Sequence, residues 1–328
     1  MATPSIQEST SELAIIVPAY KATYLKAALQ SIAAQTDKRF MVYVCDDSSP
    51  EDLEVIYASI FPNSSNSKFI RFPTNLGGQS LVAHWNRCVE QTKGEPWLWL
   101  FSDDDLMDPD CVASFHRRRE QLDSDVYRFD TLIIDGYDNV TTINPPHPMV
   151  EPPLTFAYHR MSFQRNSFAV EYITSRKAFL REGGFVAFPV AWCSDDASWV
   201  AFAGNQPIVS IPGARVKWRC SDLNISGSPK RNTMEKIEAL VLYSKWLDER
   251  VNNATGESEQ LIKVALPRLY KYWIERHLKQ YYPLTPGQIW RVGKKLSNRW
   301  PERSQSRWAV RVLTTHVGWL LRGIGNRL

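Results

Sequence analysis

The chain has 328 residues, of which 44% are hydrophobic and 23% charged, with a formal net charge of +4. That length holds one large domain with an appendage or two domains, and the composition is that of an ordinary folded protein. Five scattered cysteines (Cys45, Cys88, Cys111, Cys193, Cys220) form no C-x-x-C pair, which argues against a zinc site or disulfide framework and for a reducing compartment.

Residues 1–12 read as a polar, disordered leader without the apolar core of a signal peptide. No run approaches the roughly 18 apolar residues of a spanning helix, so a cytoplasmic protein is expected. Leu13–Val17 is a short apolar run of the buried parallel-strand kind, ending at Pro18-Ala19-Tyr20. A helix follows, with Leu25, Ala28, Leu29 and Ile32 on one face. A second strand, Phe40 to Cys45, stops at Asp46-Asp47. Ser49 and Pro50 then supply a cap and a first helical residue for a helix over 51–60. A third strand covers 68–72, Asn75-Leu76-Gly77-Gly78 is a turn, and 79–92 is helical.

Trp97 to Phe101 is a buried strand that stops at Ser102-Asp103-Asp104-Asp105. Three adjacent carboxylates repel one another unless a cation neutralises them. Hard oxygen ligands at a strand end suit Mg²⁺ or Mn²⁺ shared with substrate phosphates. A solvated acidic turn is the alternative. Strand and helix alternate through these first hundred residues, which predicts βαβ units and a parallel sheet. Parallel strands present their C-terminal ends along one edge, so Asp46-Asp47 and Asp103–Asp105 can share a crevice there. No G-x-G-x-x-G or P-loop pattern is present, so a metal is left to carry any phosphate charge.

Further on, 126–134 predicts a strand and the five prolines within 144–153 an irregular loop. A helix is expected from about 174 to 182, ended by Gly183-Gly184. Ser194 is a natural N-cap that puts Asp195 and Asp196 in the first turn of a helix reaching about Ala203; acids at a helix start are also common without any function. Strands follow at 208–211 and 214–219, then a loop over 221–228. After about 230 only helical spacing remains, over 232–250 and 256–281. From Arg291 nine lysines and arginines stand against Glu302 alone, and Ala309, Leu313, Val317, Leu320 and Ile324 form a stripe at helical spacing. His84, His116, His147 and His159 lack metal-ligand spacing and read as structural or exposed.

Five of these features, in this order, resemble a family 2 glycosyltransferase with the GT-A fold: Ile15-Ile-Val-Pro-Ala-Tyr20, Val44-Cys-Asp-Asp47-Ser-Ser, Asn75-Leu-Gly-Gly78 with Asn86, Leu100-Phe-Ser-Asp-Asp-Asp105, and Ser194-Asp-Asp196. The resemblance covers roughly 13–228. It implies an α/β, Rossmann-like, mostly parallel sheet flanked by helices, over 13–230. Past 230 the resemblance gives nothing, and the spacing and charge there read as a helical C-terminal region, 231–328, with a basic amphipathic tail. The resemblance implies Mn²⁺ or Mg²⁺ as cofactor on Asp104 and Asp105. A nucleotide-sugar donor, a UDP-sugar by the family's habit, would meet Pro18, Ala19, Tyr20, Asp47, Gly77, Gly78 and Asp103. Asp196 matches the family's general base by position, with Asp195 beside it. Two departures stand out: Ser102 replaces the family's first acid, and the usual Glu-Asp pair is Asp195-Asp196.

Displacing a nucleoside diphosphate needs charge neutralisation at the leaving group and a base for the attacking hydroxyl. One base and no covalent nucleophile imply a single in-line displacement, and the resemblance implies inversion and a place in bacterial-type surface polysaccharide or glycolipid assembly. Arg219 reads either as a diphosphate contact or as a surface strand charge. The acceptor is expected to be a saccharide or a lipid-linked saccharide. The basic tail is read either as lying on the inner face of a membrane or as packing on protein. Nucleic acid is not expected as a partner, because the main domain's cleft is acidic. A metal-dependent nucleotidyltransferase and an inactive nucleotide-sugar binder are the competing functions.

Overall fold

A computed structural model describes residues 11–221, 231–253, 257–281 and 284–314. The expected leader up to residue 10, most of the 221–228 loop, and Val317, Leu320 and Ile324 lie outside the described residues. In chain order the elements are β1 (Leu13–Ala19), α1 (Leu25–Ala33), β2 (Phe40–Asp46), α2 (Leu53–Ile60), β3 (Ser67–Arg71), α3 (Leu81–Val89), β4 (Trp97–Leu100), β5 (Leu106–Met107) and α4 (Cys111–Gln121). Next come β6 (Val126–Ile134), β7 (Val140–Ile143), β8 (Val150–Glu151), α5 (Pro153–Met161), β9 (Tyr172–Ser175), α6 (Arg176–Arg181), α7 (Ser194–Ala203) and β10 (Ile208–Arg219). Three helices follow: α8 (Thr233–Asn253), α9 (Glu257–Tyr281) and α10 (Pro286–Arg299).

Contacts divide the chain into two compact units. The first takes the residues up to Glu151 with Ser167–Phe185 and Ala201–Arg219; the second takes Pro152–Asn166, Val186–Val200 and the residues from Cys220 on. The division does not fall at 230, where the change of pattern in the sequence suggested a boundary. Two earlier segments join the C-terminal helices, because α5 packs on α9 and residues 189–191 pack on α8.

The first unit is built on one sheet in the order β3-β2-β1-β4-β9-β6-β10-β5, with β7 beside β6 and β8 beside β10. β1, β2, β3 and β4 are mutually parallel, and so are β6 and β10. β9 runs antiparallel between β4 and β6, so all six parallel strands point the same way. The inner strands' apolar runs are buried on both faces, as parallel strands covered by helices must be: every residue of β2 is buried, while edge strand β3 is partly exposed. α1 lays Leu25, Ala28, Leu29 and Ile32 against this sheet. At its centre Trp99 stacks on Phe129 with ring centroids 5.1 Å apart and donates Nε1–H to the Val170 carbonyl at 2.7 Å. Each such buried ring contributes about 1.5–3 kcal/mol by leaving water.

Several local expectations are corrected. The helix after β2 starts at Leu53, with the Asp52 carboxylate accepting the Val55 N–H, not at Ser49-Pro50. Ser49 instead donates its hydroxyl to the Tyr20 carbonyl at 2.7 Å. The proline-rich 144–153 stretch is irregular only to Met149: Val150–Glu151 pairs with β10, and Pro153 is the first residue of α5. The helix expected from 174 begins at Arg176, since Tyr172–Ser175 is strand. Strands 208–211 and 214–219 are one strand with an irregularity between Ile211 and Arg215.

In the second unit, α8 packs on both α9 and α10. A further helical segment, 305–314, lies on α10. A Cβ on Gly293 would stand 3.1 Å from the Ala309 Cβ, so only glycine allows this approach.

Candidate active site

Because the six parallel strands share a direction, their C-terminal ends bring Tyr20, Asp46-Asp47, Ser102–Asp105, Asp135 and Arg219 to one edge of the sheet. The acidic loop crosses this edge. It leaves β4 and enters β5, which pairs antiparallel with β10 at Leu106↔Lys217. Each of its acids is held differently. Asp103 accepts the N–H groups of Tyr20 and Lys21 at 2.9 and 3.2 Å. Asp105 is buried and accepts the Arg219 N–H at 2.6 Å. Asp104 takes the Ser102 hydroxyl.

Burial raises the pKa of all three carboxyls, and the Asp104 charge raises its two neighbours further; Asp103 is pushed up to about 6. Carboxylates crowded in this way favour a proton or a cation. Among the described residues no three His, Cys, Asp or Glu side chains converge as a complete metal cage. The donor set fits a hard divalent ion that takes a carboxylate from the protein and its other ligands from phosphate and water. Asp104 is the better of the two expected ligands, since Asp105 is buried on the Arg219 amide.

Asp47 is buried at the end of β2. Its carboxylate accepts the Leu76 and Gly77 N–H groups at 2.8 and 2.7 Å and pairs with Arg87. A Cβ on Gly77 would meet the buried, held Asp47 Oδ2 at 2.6 Å, so this glycine is required by close approach, while Gly78 donates its N–H to Asn75 Oδ1 at 2.7 Å. Asp47 thus clamps the glycine turn beside the edge. His84 lies 3.6 Å from the same carboxylate, and burial lowers its pKa to about 4. Pro18 and Ala19 lie within β1, and Tyr20, just past its end, is 41% exposed. Asn86 accepts the Phe185 N–H at 3.0 Å and so pins the chain after α6.

Arg219 is not a surface charge. It is 0% exposed and donates Nε–H to the Asp104 carbonyl at 2.7 Å and Nη1–H to the Asp135 carbonyl at 2.8 Å. Its guanidinium also pairs with Asp138 and stacks 4.2 Å from the Tyr24 ring centroid. It fastens the acidic loop. A separate cavity of about 610 Å³ lies at the opposite edge of the sheet, lined by Pro96, Asp125, Arg176 and Gln206 among others.

In the second unit, Asp195 and Asp196 fall in the first turn of α7 as expected, but Ser194 is itself helical and its hydroxyl accepts the Phe188 N–H at 2.9 Å. The preceding chain is strained: Val190, Ala191 and Cys193 have φ of +52°, +57° and +64°. Such conformations in side-chain-bearing residues persist only where their surroundings enforce them, and they cluster at functional sites. Arg160, on α5, forks the Asp196 carboxylate, with Nε 3.1 Å from Oδ1 and Nη2 3.0 Å from Oδ2. The neighbouring Asp195 is half-buried; burial first, and then the Asp196 charge, push its carboxyl up to about 7. Arg160 carried no signal in the sequence, being 36 residues from its partner.

Residues 14–182 match the model of the glycosyl transferase family 2. An uncharacterized glycosyltransferase of Rickettsia typhi is 26% identical over 150 residues, which span 45% of this chain and 43% of the relative. The TarS protein of S. aureus, in a structure of its residues 1–349, superposes with a TM-score of 0.63 at 16% identity, covering 93% of this chain and 89% of that one. Its complex with UDP-GlcNAc gives a TM-score of 0.64 at 15% identity with the same coverage. At such identity the likeness is one of fold. The family match covers more than half of the chain, and the chain belongs to glycosyltransferase family 2.

Proposed function

We propose that this chain transfers a sugar from a nucleotide-diphosphate sugar to an acceptor hydroxyl, with inversion, in the assembly of a surface polysaccharide or glycolipid. The observation that carries the reading is the acidic loop after β4, at the C-terminal edge of the parallel strands in a family 2 chain. A UDP-sugar is the donor to test first, because TarS was solved with UDP and with UDP-GlcNAc. Pro18, Ala19, Tyr20 and the glycine turn held by Asp47 form the nucleotide side of this reading, with Asp103 fixing Tyr20 and Lys21 through their amides. Asp104 would hold Mn²⁺ or Mg²⁺, which when bound supplies Lewis-acid neutralisation of the leaving diphosphate.

The acidic pair of α7 supplies the base. Within it we assign proton transfer to Asp195 rather than Asp196. The Arg160 fork engages both oxygens of Asp196, while the Asp195 carboxyl, pushed up to about 7 by burial first and then by the Asp196 charge, is left to take the proton near working pH. The acceptor in this reading is a saccharide or lipid-linked saccharide met on the cytoplasmic side of a membrane.

The test is a panel of nucleotide sugars with Mn²⁺, scored for free nucleotide and for labelled sugar on product. Release of UDP with transfer of the sugar supports the reading. A product that keeps the nucleotide would make the chain a nucleotidyltransferase instead. Nucleotide binding without turnover of any donor would make it a binder.

A further inference from the structure

The hairpin joining β6 to β7 turns over residues 135–139, at the same sheet edge as the acidic loop. The turn is fixed by its own bonds. Asp135 Oδ1 accepts the N–H groups of Tyr137 and Asn139 at 2.8 and 3.0 Å, and the Asp135 N–H donates to the Asn139 carbonyl at 3.0 Å. Asp138 sits at φ +68°, a conformation that a short polar side chain tolerates. The turn runs close over Tyr24: a Cβ on Gly136 would stand 2.9 Å from the Tyr24 hydroxyl.

One guanidinium then joins this turn to the acidic loop. Arg219 donates to the carbonyls of both Asp104 and Asp135, and it pairs with Asp138. Two carbonyl oxygens on one planar fork cannot be far apart, so the turn abuts the loop that carries Asp104. On it stands Tyr137, 87% exposed. A large ring in water at the tip of a mobile loop would need no explanation. A ring held out by a turn bonded both to itself and to the acidic loop is a preformed contact surface, because ordering it on ligand binding costs little entropy.

We propose that Tyr137 is the stacking platform of an acceptor subsite, taking the apolar C–H face of a pyranose ring. The inference rests on the glycosyl-transfer reading and names the class of group its acceptor presents. A tyrosine suits that ligand because its ring is apolar while its hydroxyl stays in water, matching a sugar with one C–H face and a rim of hydroxyls.

The test uses the full chain and its Tyr137→Ala and Tyr137→Phe variants, applied with UDP and Mn²⁺ to an array of immobilised oligosaccharides. UDP affinity is measured separately by calorimetry. Wild type and Tyr137→Phe should be retained by the same glycans. Tyr137→Ala should bind them about three- to tenfold more weakly while UDP affinity stays the same in all three, the size expected for one aromatic contact. UDP binding together with glycan retention indifferent to residue 137, or with no retention by wild type, overturns the subsite alone. No binding of UDP or of any other nucleoside diphosphate by wild type overturns the transferase reading and the subsite with it.

Discussion

Asp47 and Gly77 are best understood as one object. The carboxylate holds the turn by accepting two backbone N–H hydrogen bonds, and the turn has no room for a methyl group because the carboxylate is there. Gly77→Ala should therefore force the clamp open. The expected outcome is a loss of stability of about 1–3 kcal/mol, the size of a strained or overpacked contact, together with weakened UDP binding in calorimetry; unchanged melting and unchanged affinity would show that the turn yields freely. The acidic pair makes a second prediction. An acid whose pKa rises on folding is protonated below that value, so a base with a pKa near 7 loses activity as pH falls through 7. The wild-type kcat should rise with pH across that range. Asp195→Asn should abolish transfer and leave UDP affinity intact. Arg160→Lys should shift the profile, because a lysine cannot reproduce the fork that fixes Asp196. A dead Asp196→Asn beside an active Asp195→Asn would reverse the assignment. The acids of this edge were legible because they are consecutive at a strand end. Arg160 and Arg219 were not: a charge in the sequence says nothing of its burial, and Arg219 meets Asp104 across 115 residues.

At the scale of elements, strands such as Leu13–Ala19 and Phe40–Asp46 declared themselves as apolar runs, and α1 declared itself by its spacing. Elements whose signal is short or contrary did not. Four-residue β9 lies against the start of a helical pattern, and α5 begins inside a proline cluster that otherwise signals a loop. Proline is compatible there because the first helical residue needs no N–H partner. The start of α2 differs for a related reason: the Ser49 hydroxyl accepts the Glu51 N–H at 3.1 Å as a cap would while donating to Tyr20, but the chain becomes helical only at Leu53, where Asp52 is the cap. Asp52→Ala should cost about 0.5–2 kcal/mol in chemical denaturation as a lost cap; Ser49→Ala should instead disturb the Tyr20 loop and with it UDP binding. The short β8 depends on charge as well as pairing. Glu151 is buried against Arg128 at 2.6 Å, on strand β6, with β10 paired between the two strands. Arg128→Met alone leaves a carboxylate buried and should cost about 3–5 kcal/mol, most of which Arg128→Met with Glu151→Leu should recover. Thermal melts of the single and double variants check this, and an equally destabilised double would mean that packing, not charge, dominates there.

For the molecule as a whole, the C-terminal tail is where composition and structure part. Nine basic residues against one acid suggested a surface for anionic lipid, yet the described part of the tail directs much of its charge to protein. Lys295 pairs with Glu238, Arg299 with Asp248 and Arg311 with Glu275, while Arg303 stacks on Trp308. Trp308, Ala309 and Val312 are buried, and Leu313 is exposed. The acids that answer these cations lie 36 to 57 residues earlier in the chain, on helices α8 and α9, so a count confined to the tail could not find them. No helix of the described residues is long and apolar enough to cross a membrane. Arg291, Lys294 and Arg307 stay exposed, and the last fourteen residues, 315–328, add Trp319, Arg322 and Arg327 with the rest of the apolar stripe in the sequence. Such cations at an anionic leaflet contribute about 1 kcal/mol each, enough for weak and reversible binding when joined by an apolar face. Co-sedimentation with anionic vesicles should therefore show modest binding at low salt that falls as screening grows. Removal of 315–328 should remove most of it. Truncation at 304 should in addition destabilise the second unit, because it removes Trp308 and Val312 from their packing and leaves Glu275 without Arg311. Binding undiminished by removal of the last fourteen residues would move the lipid contact elsewhere in the chain, and no binding at low salt would leave the tail a purely protein-packing element.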